Sequence, residues 1–292
     1  MGYEGHIKPV MDTIPFIKMH GLGNDFVVID ARQDPVAVSS GGARAIADRH
    51  HGIGCDQVIL IEPSADGLGD VFMRILNADG GEVAACGNAT RCVASLLMAE
   101  KGADHVVIET AGGLLDAEKG DGGLICVDMG RARLDWRDIP LSEATDTLHL
   151  PISENGLTDG CAVNMGNPHL VFFVDDAESV ALETLGPKLE RHPLFPERTN
   201  VEVVQVLSPD KLRLRVWERG AGITNACGTG ACAALVAAHR RGLSERRAEV
   251  VLDGGTLVVE WLADDHVLLT GPVSSSFSGE LDQNLLTAGK AS

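Results

Sequence analysis

Residues 226–241 read ACGTGACAALVAAHRR, a cysteine followed by small residues and then by an apolar run. Residues 228–230 suit the tight entry to a helix, with Thr229 as a candidate cap, and residues 239–242 (HRRG) are typical of a helix C-terminus. Cys227 is therefore expected at a helix N-terminus. There, unpaired backbone amides and the positive end of the helix dipole should lower the pKa of the thiol and make thiolate available near neutral pH.

A second element of the same kind lies upstream. Residues 85–88 read ACGN and lead into a helical run that ends at residues 100–102 (EKG). Each cysteine follows a strand-like segment and a glycine turn, MRILNADGG before Cys86 and LRLRVWERGAG before Cys227. The two cysteines are 227 − 86 = 141 positions apart, about the length of a small domain. Two such thiols on matching elements predict a pair that faces across a shared cleft.

The rest of the chain is rich in strand candidates and poor in helices. The strand candidates are IPFIKM, FVVIDA, QVILIE, VFMRIL, HVVIET and LICVDM in the first half, and CAVNMG, LVFFVD, VEVVQV, LRLRVWE, AEVVLD, TLVVEW and HVLLTG in the second. Besides the runs after the two cysteines, helices are predicted only at 41–50 and 177–189. This pattern predicts an α+β fold of two pseudo-symmetric domains, each a curved, mostly antiparallel sheet wrapped around a central helix, with the active site in the cleft between them.

The domain limits follow from composition. Residues 134–153 are irregular and contain Pro140 and Pro151, as expected of a linker, so the N-terminal domain is placed at 13–135 and the C-terminal domain at 136–272. Residues 1–12 carry no periodic pattern and are interpreted as a disordered or artificially added extension.

Composition argues against several classes of partner. The formal net charge of −18 is unfavourable for binding nucleic acid or anionic membranes. No apolar run approaches the ~20 residues of a membrane span. The first residues, MGYEGHIKPVMDTIPF, lack the apolar core and cleavage site of a signal peptide, so the cytoplasm is the expected location.

The cysteine pattern indicates neither disulfides nor a metal site. Seven cysteines are an odd number in a chain long enough to build its own core, no CxxC pair is present, and the spacings fit no common zinc site. Five of the cysteines are interpreted as small buried hydrophobic residues, namely Cys55, Cys92, Cys126, Cys161 and Cys232.

Two opposed thiols, one ionised and one protonated, suit the removal of a proton from one face of a carbon and its return to the other face. This chemistry is racemisation or epimerisation without a cofactor, and the chain has no dinucleotide fingerprint, P-loop or pyridoxal-lysine context. The carbanion needs hydrogen-bond donors beside an adjacent carboxylate. The backbone amides at the two helix starts, near Gly87-Asn88 and Gly228-Thr229, can supply them.

Polar residues in the glycine turns are candidates for lining the cleft. An isolated turn asparagine usually caps its own backbone, but several amides beside Glu218 and Arg219 favour a site for a zwitterion. Arg219 could bind a carboxylate and Glu218 an ammonium group, whereas the alternative is a surface pair at a strand end. His169, in the turn GNPH, is either a structural residue or an auxiliary to catalysis. The amides are Asn24, Gln57, Asn77, Asn167 and Asn200.

At these residues the sequence resembles the diaminopimelate epimerase family. The matching segments run from KMHGLGNDFVVID through RHHGIGCDQ, LNADGGEVAACGNATRC, NMGNPH and RTNVE to WERGAGITNACGTGACAA, and cover nearly the whole chain after the first residues. The resemblance implies a cofactor-independent homodimer that interconverts LL- and meso-diaminopimelate. It also implies that the chain from about Val273 to 292 returns to the first domain.

The resemblance assigns roles residue by residue. It implies that Cys86 and Cys227 are the acid and base, with no metal. Positions that hold the non-reacting end of the substrate are matched by Asn77, Asn167, Asn200 and Arg219. Other polar positions of the site are matched by Asn24, Gln57 and Glu218, and the amides around the reacting carboxylate by Gly87, Asn88, Gly228 and Thr229.

Two segments depart from the family pattern. Ile223 stands where the family often has glutamate, and residues 88–91 read NATR instead of NGAR. A related racemase of another amino acid therefore stays an alternative. A thiol–disulfide oxidoreductase and a non-catalytic amino-acid-binding module are more remote ones. The sequence does not decide which of the two cysteines is the resting thiolate.

Overall fold

The computed structural model describes residues 13–288. The extension expected at residues 1–12 lies outside the described residues, as do the last four residues of the chain. The described chain contains four α-helices within one continuous network of eighteen strands. The helices are α1 (Ser40–Ala47), α2 (Gly87–Lys101), α3 (Leu182–Glu190) and α4 (Gly228–Arg240).

The strands divide between the two halves of the chain. The first half holds β1 (Thr13–Gly21), β2 (Asn24–Asp30), β3 (Gln57–Glu62), β4 (Val71–Asn77), β5 (Glu82–Val83), β6 (His105–Thr110), β7 (Gly113–Lys119) and β8 (Ile125–Arg131). The second holds β9 (Leu150–Glu154), β10 (Leu157–Asn164), β11 (Pro168–Phe173), β12 (Asn200–Ser208), β13 (Lys211–Glu218), β14 (Gly222–Ile223), β15 (Arg247–Leu252), β16 (Gly255–Trp261) and β17 (His266–Gly271), followed by β18 (Ser274–Asp282).

Strand pairing repeats from one half to the other. In the first half, β1 and β2 are antiparallel, β2 and β3 parallel, β3 and β4 antiparallel, and β4 is also parallel to β6. The same order recurs as β10/β11, β11/β12, β12/β13 and β13/β15. The outer strand is β18 beside β1 in one half and β9 beside β10 in the other. This repetition confirms the predicted pseudo-symmetric α+β fold. The two halves are joined by the antiparallel pairing of β8 with β17.

A helix occupies the centre of each half. All eight residues 231–238 of α4 are buried, as are residues 87–94 of α2. A helix that is buried on every side must be enclosed by other elements, and here the curved sheets enclose both. The loops before α2 and α4 are thereby held at corresponding places in the two halves, where the candidate cysteines lie.

Several local predictions need correction. The helix expected at 177–189 is instead a short 3₁₀ turn (Ala177–Ser179) followed by α3, because Val180 between them is extended. The last four residues of the expected linker at 134–153 belong to β9. The pairing of β18 with β1 supports a C-terminal tail that rejoins the first half. The domain limits at 135/136 and 272/273 stay a prediction. The short or polar strands that sequence reasoning missed are β5, β7, β9, β14 and β18.

Candidate active site

Each candidate cysteine occupies the N-cap position of its helix. Cys86 has φ −150° and ψ 108°, and Cys227 has φ −117° and ψ 110°, so both are extended residues immediately before the first helical residue. The sulfur of Cys227 accepts a hydrogen bond from the backbone N–H of Gly230 at 3.4 Å. The prediction that Thr229 caps α4 is therefore wrong: Cys227 is itself the cap, and Thr229 is the second helical residue.

The starts of α2 and α4 lie close together. Asn88, the second residue of α2, donates its side-chain N–H to the carbonyl of Ala226 at 3.2 Å, directly before Cys227. A Cβ at Gly228 would lie 3.7 Å from the side-chain oxygen of Asn88, and 2.9 Å from Cδ2 of Leu269. The absence of a side chain at Gly228 therefore allows the N-terminus of α4 to approach that of α2.

The polar candidates occupy equivalent places in the two halves. Asn77 ends β4 nine residues before Cys86 (86 − 77), and Glu218 ends β13 nine residues before Cys227 (227 − 218). Gln57 and Asn200 begin the equivalent strands β3 and β12, and Asn24 and Asn167 lie where β2 and β11 begin. Because the parallel strands start at the edge where their antiparallel neighbours end, these side chains gather on one edge of each half.

In the first half, a chain of amide hydrogen bonds fixes the candidates. Gln57 donates to the side-chain oxygen of Asn77 at 2.9 Å. Asn24 donates to Asp56 at 2.9 Å and accepts from Asn88 at 3.1 Å. The side-chain oxygen of Asn24 is also 3.9 Å from the sulfur of Cys86. Asn24 therefore directs an acceptor towards the first thiol.

In the second half, the candidates are held by different partners. The side-chain oxygen of Asn167 lies 2.9 Å from Nε2 of His169. Asn200 accepts from the backbone N–H of Arg219 at 2.8 Å. The carboxylate of Glu218 accepts from the hydroxyl of Thr224, and its charge raises the pKa of Cys227.

The guanidinium of Arg219 is held by one hydrogen bond among the described residues. Arg219 is exposed, and its side chain donates to the carbonyl of Glu197 at 2.9 Å. Its backbone is fixed through Asn200, whereas a single contact with a carbonyl holds the charged end. The guanidinium can therefore exchange that contact for a ligand carboxylate without breaking an ion pair.

Sequence reasoning missed three charged residues that support the site. Asp56 holds Asn24, and Glu202 lies 2.7 Å from Nδ1 of His169. Arg91 is fully buried and donates to the side-chain oxygen of Asn88 at 2.8 Å. Asp56 and Glu202 stand in the quoted segments RHHGIGCDQ and RTNVE, but only the strand register shows what they contact.

The ionisation of the two thiols differs from the expectation. Burial raises the pKa of Cys86 to about 11, although the backbone amides of Ala89 and Asn88 at the helix start act in the opposite direction. Burial, followed by the nearby carboxylates of Glu218 and Glu202, raises the pKa of Cys227 well above its usual value. The helix-terminal amides are present as predicted, but their effect is smaller than the cost of desolvating a thiolate.

These pKa shifts predict the reactivity of the ligand-free protein. Because both thiols are protonated at neutral pH, alkylation of Cys86 by iodoacetamide should rise about tenfold per pH unit between about pH 7 and 9, following the thiolate fraction. Cys227 should react more slowly at each pH. Peptide mass spectrometry at timed intervals gives both rates, with free glutathione as the control thiol. A rate for either cysteine that levels off below about pH 8 would show that the thiol ionises near neutrality after all.

The remaining cysteines mostly match the interpretation as buried residues. All seven cysteines are free; four of the five others are buried, whereas Cys126 is partly exposed. Among residues 13–288, no group of three or more histidine, cysteine, aspartate or glutamate side chains is arranged to hold a metal ion. No helix of the described chain is both long and apolar enough to cross a membrane.

Comparison with known sequences gives consistent matches. A family model described as "Diaminopimelate epimerase" matches residues 16–134 and 161–275. A protein of Rhodospirillum centenum named diaminopimelate epimerase is 62% identical over 271 residues, which cover 93% of each chain. A protein of Acidiphilium cryptum with the same name is 58% identical over 272 residues, which cover 93% of this chain and 98% of its own.

Solved structures show the same fold at low sequence identity. A hydroxyproline epimerase from Agrobacterium vitis, solved with trans-4-hydroxy-L-proline, aligns with a TM-score of 0.66 and 17% identity, covering 92% of this chain and 93% of its own. A phenazine biosynthesis protein of the PhzF family from Enterococcus faecalis aligns with a TM-score of 0.70 and 17% identity, covering 92% and 99%. At such identities the likeness extends to the architecture of two similar halves.

Proposed function

The chain belongs to the diaminopimelate epimerase family, and from this premise we propose that it interconverts LL- and meso-2,6-diaminopimelate in lysine and peptidoglycan biosynthesis. We also propose that it acts without a cofactor, as a cytoplasmic homodimer. The observation that carries the mechanism is the placement of Cys86 and Cys227 at equivalent N-caps of two helices whose starts approach each other.

The proposed reaction moves one proton off a carbon and another onto it. A thiolate on one cysteine takes the proton from Cα, which breaks a C–H bond and forms an S–H bond. The thiol of the other cysteine gives its proton to the opposite face of the same carbon, which restores a C–H bond with inverted configuration. The enzyme ends with the proton on the first cysteine, ready for the reverse reaction.

The intermediate carries negative charge that spreads onto the adjacent carboxylate. Backbone N–H groups at Gly87-Asn88 and Gly228-Thr229 begin the two helices and have no intrahelical acceptor at that end. They are suited to bind that carboxylate and to stabilise the charge as it develops. The donors are already in place before substrate arrives, so they require little reorganisation during the proton transfer.

The surroundings of the two thiols differ in charge, which supports Cys86 as the cysteine that loses its proton more readily. Burial and the charge of Glu218 raise the pKa of both thiols, but Glu202 adds a further rise only at Cys227, and the cation of Arg91 lowers the pKa only at Cys86. The proton of the pair should therefore stay preferentially on Cys227. A thiol of raised pKa yields a strong base once ionised, as abstraction of a weakly acidic Cα proton requires.

The far end of the substrate carries its own carboxylate and ammonium groups. We propose that the amides of Asn77, Asn167 and Asn200 and the guanidinium of Arg219 hold that end. Glu218, Asn24 and Gln57 line the path between the two ends. His169 acts as an auxiliary that holds Asn167, on the strength of its 2.9 Å contact.

The function is tested by a direct assay. Purified protein is incubated with LL-diaminopimelate and a thiol reductant, with a chelator and no added cofactor, and the isomers are separated by chiral chromatography. The proposal predicts appearance of the meso isomer until the two forms equilibrate, with no change in L-proline or trans-4-hydroxy-L-proline as control substrates. No conversion of diaminopimelate, or preferential conversion of either control, would favour a related racemase or a binding protein instead.

A further inference from the structure

Glu202, a buried carboxylate whose charge acts on Cys227, is also paired with His169. The two residues lie on the adjacent parallel strands β12 and β11, where His169 is opposite Asn200. Oε1 of Glu202 is 2.7 Å from Nδ1 of His169, and both side chains are completely inaccessible to solvent. The other nitrogen of the ring, Nε2, lies 2.9 Å from the side-chain oxygen of Asn167. A continuous chain of contacts thus leads from Glu202 to a residue proposed to bind substrate.

The position of Glu202 is constrained from the other side by α4. A Cβ at Gly230 would lie 3.1 Å from Oε1 of Glu202, so the first turn of α4 rests on this carboxylate. Its second oxygen, Oε2, is buried and has no hydrogen-bond partner among residues 13–288. An apolar residue would avoid the cost of burying such a group. The carboxylate is therefore expected to act on its neighbours, and its side-chain hydrogen-bond partner is His169.

The hydrogen-bond polarity of the ring follows from these contacts. The side-chain oxygen of Asn167 only accepts, so Nε2 must carry a hydrogen. The pair can satisfy this with an ionised Glu202 and a doubly protonated ring, or with a protonated Glu202 that donates to Nδ1. Both arrangements are neutral overall, as a fully buried pair favours. Burial also raises the pKa of Glu202, which agrees with a shared proton. A neutral ring protonated only on Nδ1 would leave Nε2 facing an acceptor.

The equivalent asparagine of the first half, Asn24, uses the two ends of its side-chain amide in the opposite way to Asn167. Asn24 donates to Asp56 and directs its oxygen towards the sulfur of Cys86. Asn167 has its oxygen occupied by His169, and its NH₂ group has no partner within the described residues. One half thus directs an acceptor and the other a donor, and each end of a zwitterionic ligand carries groups suited to both.

We propose that Glu202 is a positioning residue that, through His169, fixes the amide of Asn167 so that its NH₂ group faces the substrate and binds a carboxylate. This inference rests on the proposed function, because it concerns recognition of that substrate. Glu202 touches neither the substrate nor the reacting atoms. Its charge also raises the pKa of Cys227, an influence on kcat that Glu202→Gln and Glu202→Met both remove, so the difference in KM between these two variants reports the contact with His169.

The test compares steady-state kinetics of three variants with the unaltered enzyme. Glu202→Gln can still donate to Nδ1 and should keep KM within about threefold, whereas Glu202→Met removes the partner at similar size and should raise KM about tenfold with a smaller change in kcat. Asn167→Asp places a carboxylate where the substrate carboxylate binds and should raise KM about 100-fold. Glu190→Gln, at another buried carboxylate that contacts Trp217, is the matched control and should leave KM unchanged.

The outcomes separate this inference from the proposed function. If the unaltered enzyme epimerises diaminopimelate but Glu202→Met keeps its KM, or Asn167→Asp binds substrate equally well, the positioning role is wrong. If Glu202→Met does not fold, ¹⁵N NMR of the histidine ring in the unaltered protein decides instead. Nε2 of His169 should carry a hydrogen, as its contact with the oxygen of Asn167 requires, and an Nε2 without a hydrogen would overturn the proposal. Failure of the proposed function would appear separately, as absence of epimerisation by the unaltered enzyme.

Discussion

Cys227→Ala is expected to lower the rate of epimerisation by at least about 1,000-fold and to leave the fold intact, and Cys86→Ala should do the same. Each substitution removes one of the two groups that must carry a proton, and alanine supplies no group that can replace it. Alanine is smaller than cysteine and tolerates the extended N-cap conformation. The loss of the cap bond to Gly230 should therefore cost Cys227→Ala only about 1 kcal/mol of folding stability.

The measurement is kcat and KM in both directions by chiral chromatography, with thermal unfolding as the check on folding. Cys232→Ala and Cys92→Ala, at buried cysteines deeper in the same two helices, are matched controls. They should keep turnover within about tenfold, because they remove only core volume. Substantial turnover by Cys86→Ala or Cys227→Ala would remove the two-base mechanism. With serine at either position, the remaining cysteine should still exchange the Cα proton on its own face. Transfer on the other face should be slow, since a hydroxyl is a far weaker acid than a thiol.

Arg219→Ala is the second substitution with a large expected effect, about a 100-fold loss in kcat/KM. The guanidinium is exposed and donates to the backbone carbonyl of Glu197. Among the described residues it forms no ion pair with a carboxylate. It is thus available to bind the far carboxylate of the substrate with two parallel hydrogen bonds. The loss should fall mainly on KM, because this group is remote from the carbon that reacts.

Arg219→Lys is the informative comparison for this prediction. Lysine keeps the charge but cannot form the paired contact, so kcat/KM should be intermediate between those of Arg219→Ala and the unaltered enzyme. Arg198→Ala, at a nearby exposed arginine that contacts Glu190, serves as the control for general loss of positive charge. An Arg219→Ala enzyme with unchanged KM and kcat would contradict the assigned role.

The fold could be read from the sequence where local signals were strong. The strands QVILIE, HVVIET and HVLLTG occupy their expected bounds, because each is a short run of β-branched or apolar residues bounded by turn residues. The helices after Cys86 and Cys227 were also predicted, because glycine and other small residues lead into apolar runs that end in basic residues and a glycine. By contrast, β18 (SSSFSGELD) has weak strand propensity and exists because β1 offers it a hydrogen-bonding edge.

The sequence was sufficient to nominate the residues of the site, but not to predict the direction in which the pKa values of its cysteines shift. The position of Cys227 at a helix N-terminus led to an expected fall in its pKa, whereas burial among wrapped strands and the approach of the carboxylates of Glu218 and Glu202 raise it. Both causes are tertiary: Glu202 reaches the start of α4 only through the register of β11 and β12. No local pattern in the sequence reports how deeply a helix terminus is enclosed.

The most direct test of two thiols acting on opposite faces of one carbon is conversion of LL-diaminopimelate in D₂O, followed by ¹H NMR and mass spectrometry. With two thiols, every inverted centre of the meso product should carry one solvent deuterium, and label should enter the product before it enters unreacted substrate. Inverted product that retains the original hydrogen at Cα would show that a single group removes and returns the same proton, and would contradict the paired roles of Cys86 and Cys227.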